Sequence, residues 1–307
     1  MYTFIARRLL ATIPVLLGVS LAVFLMLQLV PGDPAELMLS EFQTTPDQIA
    51  RLRTQLHLND PLPVQFGRFI WNASHGDLGY SVRSKRPVAA EIRDNLPSTL
   101  ALAIAGLMIA AVMGTVLGVL AAIRQHTWMD ASSMFLALAG VSMPSFWLGF
   151  LIIFVFSLHI RLFPATGGGD LRHLVMPATT LGLGAAAIIA RLTRSSMLEV
   201  LKQEYMTTAR AKGLPERRVV LAHGLRNALI PVVTIFGLQF GQLLAGTVII
   251  ETVFGRPGIG RLIVDAILAK DFPMVQGIVL LIATSYVIVN LIVDIIYGFL
   301  DPRIRYS

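Results

Sequence analysis

The 307-residue sequence contains no cysteine, and several common catalytic motifs are missing from it. Without cysteine there is no disulfide, no thiolate metal site and no thiol nucleophile. The phosphate-loop motif G-x-x-x-x-G-K-[ST] and the hydrolase motifs H-E-x-x-H and G-x-S-x-G are also absent. Nothing therefore predicts ATP hydrolysis, a metal or a cofactor in this chain, and we expect a protein that is not an enzyme.

Charge is also scarce, at 14% of residues, and it is missing from six long, mostly apolar runs. About 20 helical residues cross the roughly 30 Å hydrocarbon core of a bilayer. The sequence therefore predicts an all-α integral membrane protein with six transmembrane helices. The shortest run contains one proline and two glycines, so we expect a helix with poorly defined ends there. The runs cover residues 9–30, 95–123, 131–160, 173–190, 227–250 and 272–293.

The distribution of Lys and Arg predicts an orientation in the membrane. If the N-terminus is cytoplasmic, the short inner segments hold thirteen Lys and Arg and the short outer segments hold five. Basic residues favour the cytoplasmic side, so both termini are expected there, and the basic residues indicate a membrane orientation rather than a nucleic-acid partner. The first run lacks a small-x-small cleavage site, which favours an uncleaved anchor over a signal peptide.

The long outer segment, residues 31–94, is long enough to fold on itself. Thr45-Pro46-Asp47 is typical of a helix start, a second helix is expected over 63–73, and Gly76-Asp77-Leu78-Gly79 predicts a turn. The segment is either a structural cap or a docking surface for a soluble partner. With the first run it forms a predicted N-terminal module, residues 1–94, that precedes a five-helix core, residues 95–300.

The inner segment 191–226 predicts a helix over 199–212 that stops at Gly213, followed by a second helix that starts at Pro215. Helix, turn and helix together make a knob, which spans about 199–226. The eight basic residues of segment 191–226 suit anionic lipid. The small residues beside the turn also suit insertion into a groove of another protein, and the two interpretations remain open on this pattern alone.

Short motifs are distributed along almost the whole chain, at Arg7-Arg8-Leu9, Pro31–Pro34, Gly76–Ser81, Leu96–Leu100, Pro144–Trp147, Glu204–Gly213, His223–Pro231, Phe254–Gly260 and Asp301–Arg303. Together they resemble the motifs of binding-protein-dependent ABC importer permeases of the dipeptide/oligopeptide/nickel branch. One departure concerns the knob: the leading Glu of the wider family's short consensus falls on Thr207, and Pro231 lies further from Gly213 than in that consensus.

The resemblance implies a type I ABC importer permease fold and the uptake of short peptides across the bacterial cytoplasmic membrane. It also implies a second, related permease subunit, two ATPase subunits and an extracytoplasmic solute-binding protein. A nickel, glycoside or haem permease of the same architecture is an alternative, as is a scaffold that does not transport. The residues expected to contact the ATPase are Glu204, Tyr205, Thr208, Ala209, Arg210, Ala211, Lys212, Gly213, Leu214 and Arg226.

Polar side chains within the runs are candidates for a translocation path. At about 100° per residue, two glutamines of the fifth run share one helix face, and the opposite face carries Gly237 and Gly241. Glycine permits close helix approach, as the pair Gly114 and Gly118 does in the second run. The alternative is that these polar groups make ordinary interhelical hydrogen bonds. The candidates are Ser142, Ser145, Gln239, Gln242, Tyr286 and Asn290.

Overall fold

The computed structural model describes residues 2–29, 33–39 and 45–300, and regular secondary structure in this part is helical. Pro31 and Gly32, the motif Asp301–Arg303 and the C-terminal end used to predict orientation lie outside the described residues. The helices are α1 (Tyr2–Gln28), α2 (Pro34–Leu39), α3 (Pro46–Gln55), α4 (Leu62–Ser74), α5 (Val88–Ile123), α6 (Trp128–Ser142), α7 (Ser145–Ile152), α8 (Arg172–Leu201), α9 (Glu204–Ala211), α10 (Glu216–Arg218), α11 (Arg226–Val253), α12 (Ile259–Leu268) and α13 (Phe272–Leu300). Two π-helical segments, Ile153–His159 and Val219–Leu225, follow α7 and α10.

Five of these helices are long and apolar enough to cross a membrane, and α6 with α7 makes a sixth span if the pair is counted as one. Each predicted run thus falls on a candidate span. The third run is broken: α6 and α7 meet at an angle of 109°. Pro144 explains the break, because a proline disfavours helical backbone at the preceding residue, and Met143 is extended with φ −85° and ψ 130°.

The expectation of a poorly bounded helix at 173–190 is wrong. Helix α8 has 30 residues. Within its most apolar 18-residue stretch 61% is buried, whereas the corresponding share in the other four long spans is 17–28%. The small residues of α8 do not end this helix; they allow neighbouring helices to pack closely against it. Gly182, Ala185, Ala186 and Ala187 are all buried.

The chain divides into two compact units, one of Met1–Ser98 with Gly258–Leu291 and one of Thr99–Pro257 with Ile292–Ser307. The first unit contains the predicted helices of the outer segment. Helix α3 follows Thr45, whose N–H donates to Gln48 Oε1 at 2.9 Å. Helix α4 packs on α1, where Phe24 lies 5.5 Å from Phe66 between ring centroids. The boundary at residue 94 between module and core stays a prediction.

Helix α8 is central to the second unit and packs against α6, α7 and α11. Helix α5 crosses it at the predicted glycines. A Cβ at Gly114 would lie 2.7 Å from the carbonyl oxygen of Ala186, and one at Gly118 would lie 2.6 Å from that of Ala190. The glycine side of α11 is also used, since a Cβ at Gly237 would overlap Val293. The prediction that these glycines permit close approach is confirmed.

An ion pair joins α6 to α8 in the same unit. Arg194 donates from Nε and Nη2 to the two carboxylate oxygens of Asp130, each at 2.7 Å. Asp130 also accepts the backbone N–H of His126 at 3.2 Å. The Asp130 carboxylate is buried but fully engaged, which is the condition under which a buried charge is tolerated.

Candidate functional site

The segment between α8 and α11 contains one break that the sequence did not predict. The expected helix over 199–212 is interrupted, because α8 ends at Leu201 and α9 begins at Glu204. Gln203 is extended, with φ −71° and ψ 147°, and its carbonyl oxygen accepts the N–H of Met206 at 3.0 Å. The break redirects the chain so that α9 folds back onto the segment that follows it, a contact that helical periodicity does not reveal.

The turn predicted at Gly213 is present. The Gly213 N–H donates to the carbonyl oxygen of Arg210 at 2.9 Å, and its φ of +75° lies in the left-handed region that glycine adopts without a steric penalty. A Cβ there would meet nothing within 4 Å, so the backbone conformation alone requires glycine. Pro215 then precedes α10 as predicted, and the chain continues without a break into α11.

The end of α9, the turn at Gly213 and α10 form a corner, and a bidentate ion pair spans it. Arg210 donates to Glu216 from Nε at 3.1 Å and from Nη2 at 3.0 Å. The two side chains are 40% and 60% exposed, and exposed pairs of this kind contribute only about 0–1 kcal/mol to stability. The ion pair therefore orients α9 against α10 more than it stabilises the fold. The sequence did not predict it, because the two residues lie on different helices.

The inner side of the corner is apolar. Met206, Ala209 and Val219 form a buried cluster, with Leu214 packed against it. Ala209 is 8% exposed, so its side chain contacts this chain's own corner. Its small size suits close packing of α9, whereas the sequence hypothesis had placed it in the contact with an ATPase.

The outer side of the corner carries most of the predicted ATPase-contact residues. Tyr205 is 42% exposed, and its hydroxyl accepts from Asn227 Nδ2 at 2.9 Å. Leu214 is half-buried, and Arg226 is exposed at the first residue of α11. The other exposed members are Glu204, Thr208, Arg210, Ala211, Lys212 and Gly213.

A cavity of about 310 Å³ lies in the second unit between α6, α7, α8 and α11. Ser145, Gln239 and Gln242 line it, so three predicted path residues share one space. The rest of the lining is mainly apolar and includes Leu181 and Leu243. Its volume falls within the roughly 300–1,000 Å³ of small-molecule sites.

The other three predicted path residues do not line this cavity. Ser142 donates its hydroxyl to the carbonyl oxygen of Leu138 at 2.9 Å, a bond within α6 and not the interhelical bond that the alternative interpretation expected. Tyr286 and Asn290 lie on α13, in the other compact unit. The cavity is also lined by Gly140 and Gly184, whose small size leaves the space open. The sequence did not predict their role, because glycine in an apolar run gives no polar signal.

Comparison with known families and proteins covers the whole chain. Residues 114–306 match the family described as the binding-protein-dependent transport system inner membrane component, and residues 1–103 match its N-terminal family. The chain is 45% identical over 307 residues to the glutathione transport system permease protein GsiC of Escherichia coli K12, with 100% of each chain covered. The GsiC protein of Salmonella paratyphi A matches equally, at 45% with 100% of each chain covered.

Solved structures show the same fold at low identity. The MetNI methionine ABC transporter in an inward-facing form gives a TM-score of 0.59 at 17% identity, covering 69% of this chain and 96% of that chain. An amino acid ABC transporter crystallised with histidines gives 0.51 at 13%, covering 70% and 94%. These are type I importer permeases, so the predicted fold class is confirmed.

The candidate spans and the family agree on a multi-pass protein of the bacterial inner membrane. Members of this family are the membrane subunits of ABC importers, in which an ATPase subunit supplies the energy and a solute-binding protein delivers the solute. The chain is therefore not itself an enzyme. With family matches to residues 1–103 and 114–306 and relatives aligned over its full length, the chain belongs to the binding-protein-dependent permeases of ABC importers.

Proposed function

We propose that this chain is a permease subunit for the uptake of short peptides, with glutathione, a tripeptide, as the first substrate to test. The observation that carries the proposal is the 45% identity to glutathione permeases over the whole length of both chains. The cavity lining is consistent with it, because the amides of Gln239 and Gln242 and the hydroxyl of Ser145 can bond to peptide groups whatever the peptide side chains are.

We further propose that the corner around Gly213 is the contact with the ATPase. Its exposed face, formed by Tyr205, Thr208 and Lys212, is held by the buried cluster beneath it. An exposed corner that a buried cluster and an ion pair hold in place is suited to insertion into a groove. Movement of the ATPase would then act on α11, which continues from the corner.

The complete importer in this proposal contains a second, related permease chain, two ATPase subunits and a solute-binding protein. The described part of one chain supplies at most six spans, which are too few to enclose a path for a peptide. Large apolar side chains on α7, such as Phe146 and Phe150, are exposed in the single chain and suit either lipid or a second permease. Purification of an active homodimer would contradict the heterodimeric assembly.

We place both termini in the cytoplasm, on the balance of basic residues in the short loops. Because the chain has no cysteine, single-cysteine variants can be labelled without background. An impermeant reagent should label position 70 from outside and position 212 only after lysis. Labelling of position 212 in intact cells would overturn the orientation.

Reconstitution tests the transport proposal. The complete complex in proteoliposomes should accumulate labelled glutathione or a dipeptide only when ATP and the solute-binding protein are both supplied. Accumulation of nickel, a glycoside or haem instead of peptides would contradict the proposed peptide substrate but not the proposed permease function. Failure of every solute, with an assembled complex that hydrolyses ATP, would favour a scaffold.

A further inference from the structure

The chain between α4 and α5 ends in a short hairpin, residues 79–88, with a defined backbone. The Ser81 N–H donates to the carbonyl oxygen of Arg86, and the Val88 N–H donates to that of Gly79, each at 3.0 Å. A further bond of 3.0 Å, from the Lys85 N–H to the carbonyl oxygen of Ser81, closes the tip. The tip is therefore folded.

A buried carboxylate anchors this hairpin within the first unit. The hydroxyl of Ser81 donates to Asp271, and both residues are only 3% exposed. The same carboxylate accepts the Arg83 N–H at 3.4 Å and, through its other oxygen, the Met274 N–H at 3.4 Å at the start of α13. Burying a carboxylate requires such compensation, so the anchor fixes the hairpin against α13.

The anchored tip displays groups that are typical of protein interfaces. Tyr80 is 65% exposed, and Arg83 and Lys85 are exposed without an ion pair in the part of the chain that is described. The neighbouring Arg86 differs, because it pairs with Asp94 at 2.8 Å. Lys85 also has a φ of +56°, a strained conformation for a residue with a side chain, and such strain often occurs at functional sites.

From the fixed position, the exposed tyrosine and the two unpaired cations, we propose that hairpin 79–88 is the docking surface for an acidic face of the solute-binding protein. This inference rests on the proposed function and on the proposed orientation, which places the hairpin outside. Tyr and Arg are enriched at binding hot spots, and complementary charge steers association. Anionic lipid would also attract the two cations, but a headgroup layer does not require an anchored tip.

The direct test is a charge reversal. The complete complex in nanodiscs, carrying Arg83→Glu with Lys85→Glu, is compared with wild type for binding of the purified solute-binding protein by biolayer interferometry. At low salt, rim charges act mainly on the association rate, so we expect Kd to rise about tenfold and the difference to shrink at high salt. Arg51→Glu is the matched control, since Arg51 is exposed on α3 of the same outer segment; its Kd should stay within about twofold of wild type.

A second pair of variants covers the case in which charge reversal prevents assembly. Arg83→Gln with Lys85→Gln should weaken binding less strongly, and Ser81→Ala should weaken it by loosening the anchor while both cations remain. An unchanged Kd in an assembled Gln variant would overturn the proposal. So would a defect that disappears in nanodiscs of phosphatidylcholine alone, because it would identify a membrane contact. A wild-type complex that binds the solute-binding protein but imports no peptide would instead contradict only the transport function.

Discussion

On α5, a Cβ at Gly118 would lie 2.6 Å from the carbonyl oxygen of Ala190, whereas at the corner a Cβ at Gly213 would meet nothing within 4 Å. The first glycine leaves room for α8, and the second allows a left-handed turn. A side chain added at Gly118 would have to displace α8. A side chain added at Gly213 would only have to change the backbone conformation of the turn. Folding should therefore depend on Gly118, and coupling to the ATPase should depend on Gly213.

The largest effect is expected for Gly118→Val. The added side chain would meet backbone and the Cβ of Thr193, also at 2.6 Å, and neither can move without separating α5 from α8. We expect a loss of about 3 kcal/mol, the upper end for overpacked interiors, measured as a fall in Tm in detergent. Gly18→Val on α1 is the control, because nothing lies within 4 Å of a Cβ there. A Gly118→Val protein as stable as wild type would contradict the distinction between Gly118, required for packing, and Gly213, required for the turn.

The next effect is expected for Ala209→Asp. Ala209 is buried beside Met206 and Val219, so the new carboxylate would be enclosed without a partner, which is costly. We expect both a lower Tm and loss of ATPase association. Thr208→Asp, on the exposed neighbour, should leave Tm unchanged. If Ala209→Asp abolishes association at an unchanged Tm, then Ala209 contacts the ATPase directly, as the sequence hypothesis held.

Gly213→Val should act on function with a smaller effect on stability. A left-handed conformation costs a residue with a Cβ roughly 1–2 kcal/mol, which is too little to prevent membrane insertion or pairing of the permease chains. We expect loss of ATPase association or of transport-coupled hydrolysis in proteoliposomes. Gly213→Asn is the matched control, since Asn tolerates this conformation better than other residues. Full uptake by Gly213→Val at normal expression would remove the reason for placing the ATPase contact at the corner.

Lys202→Gln should have the smallest effect. Lys202 follows the last residue of α8 and is exposed, with no ion pair among the residues that the structure describes. Uptake, ATPase association and Tm should all match wild type. A clear loss of coupling would extend the contact surface from the corner back to the end of α8.

The sequence predicted features that depend on local chemistry. The missing charges located every span, and Thr45-Pro46 located the start of α3. Gly213 and Pro215 located the corner, because glycine and proline restrict the backbone wherever they occur. The helix face that carries Gln239 and Gln242 was likewise found from the period of the helix, and both residues reach the cavity.

Features that depend on distant partners were not predicted. The Asp130–Arg194 pair joins residues 64 positions apart, and nothing in either local sequence identifies the other. The break at Gln203 and the inward direction of Ala209 both follow from packing onto Val219, which lies beyond the corner. The central role of α8 was missed because its alanines and glycines reduce hydropathy, although these same small residues allow four helices to pack around it.

The corner is connected differently on its two sides. Before α9, the chain is extended at Gln203, which interrupts the helix between α8 and α9. After the corner, Glu216–Val253 continues as 38 residues of helix, roughly 55 Å along its path. Displacement of the corner should therefore pass to α11 through continuous helix, and to α8 only across the break at Gln203. Spin-label distances from each helix to a fixed site, measured before and after ATP binding, would show α11 moving further than α8.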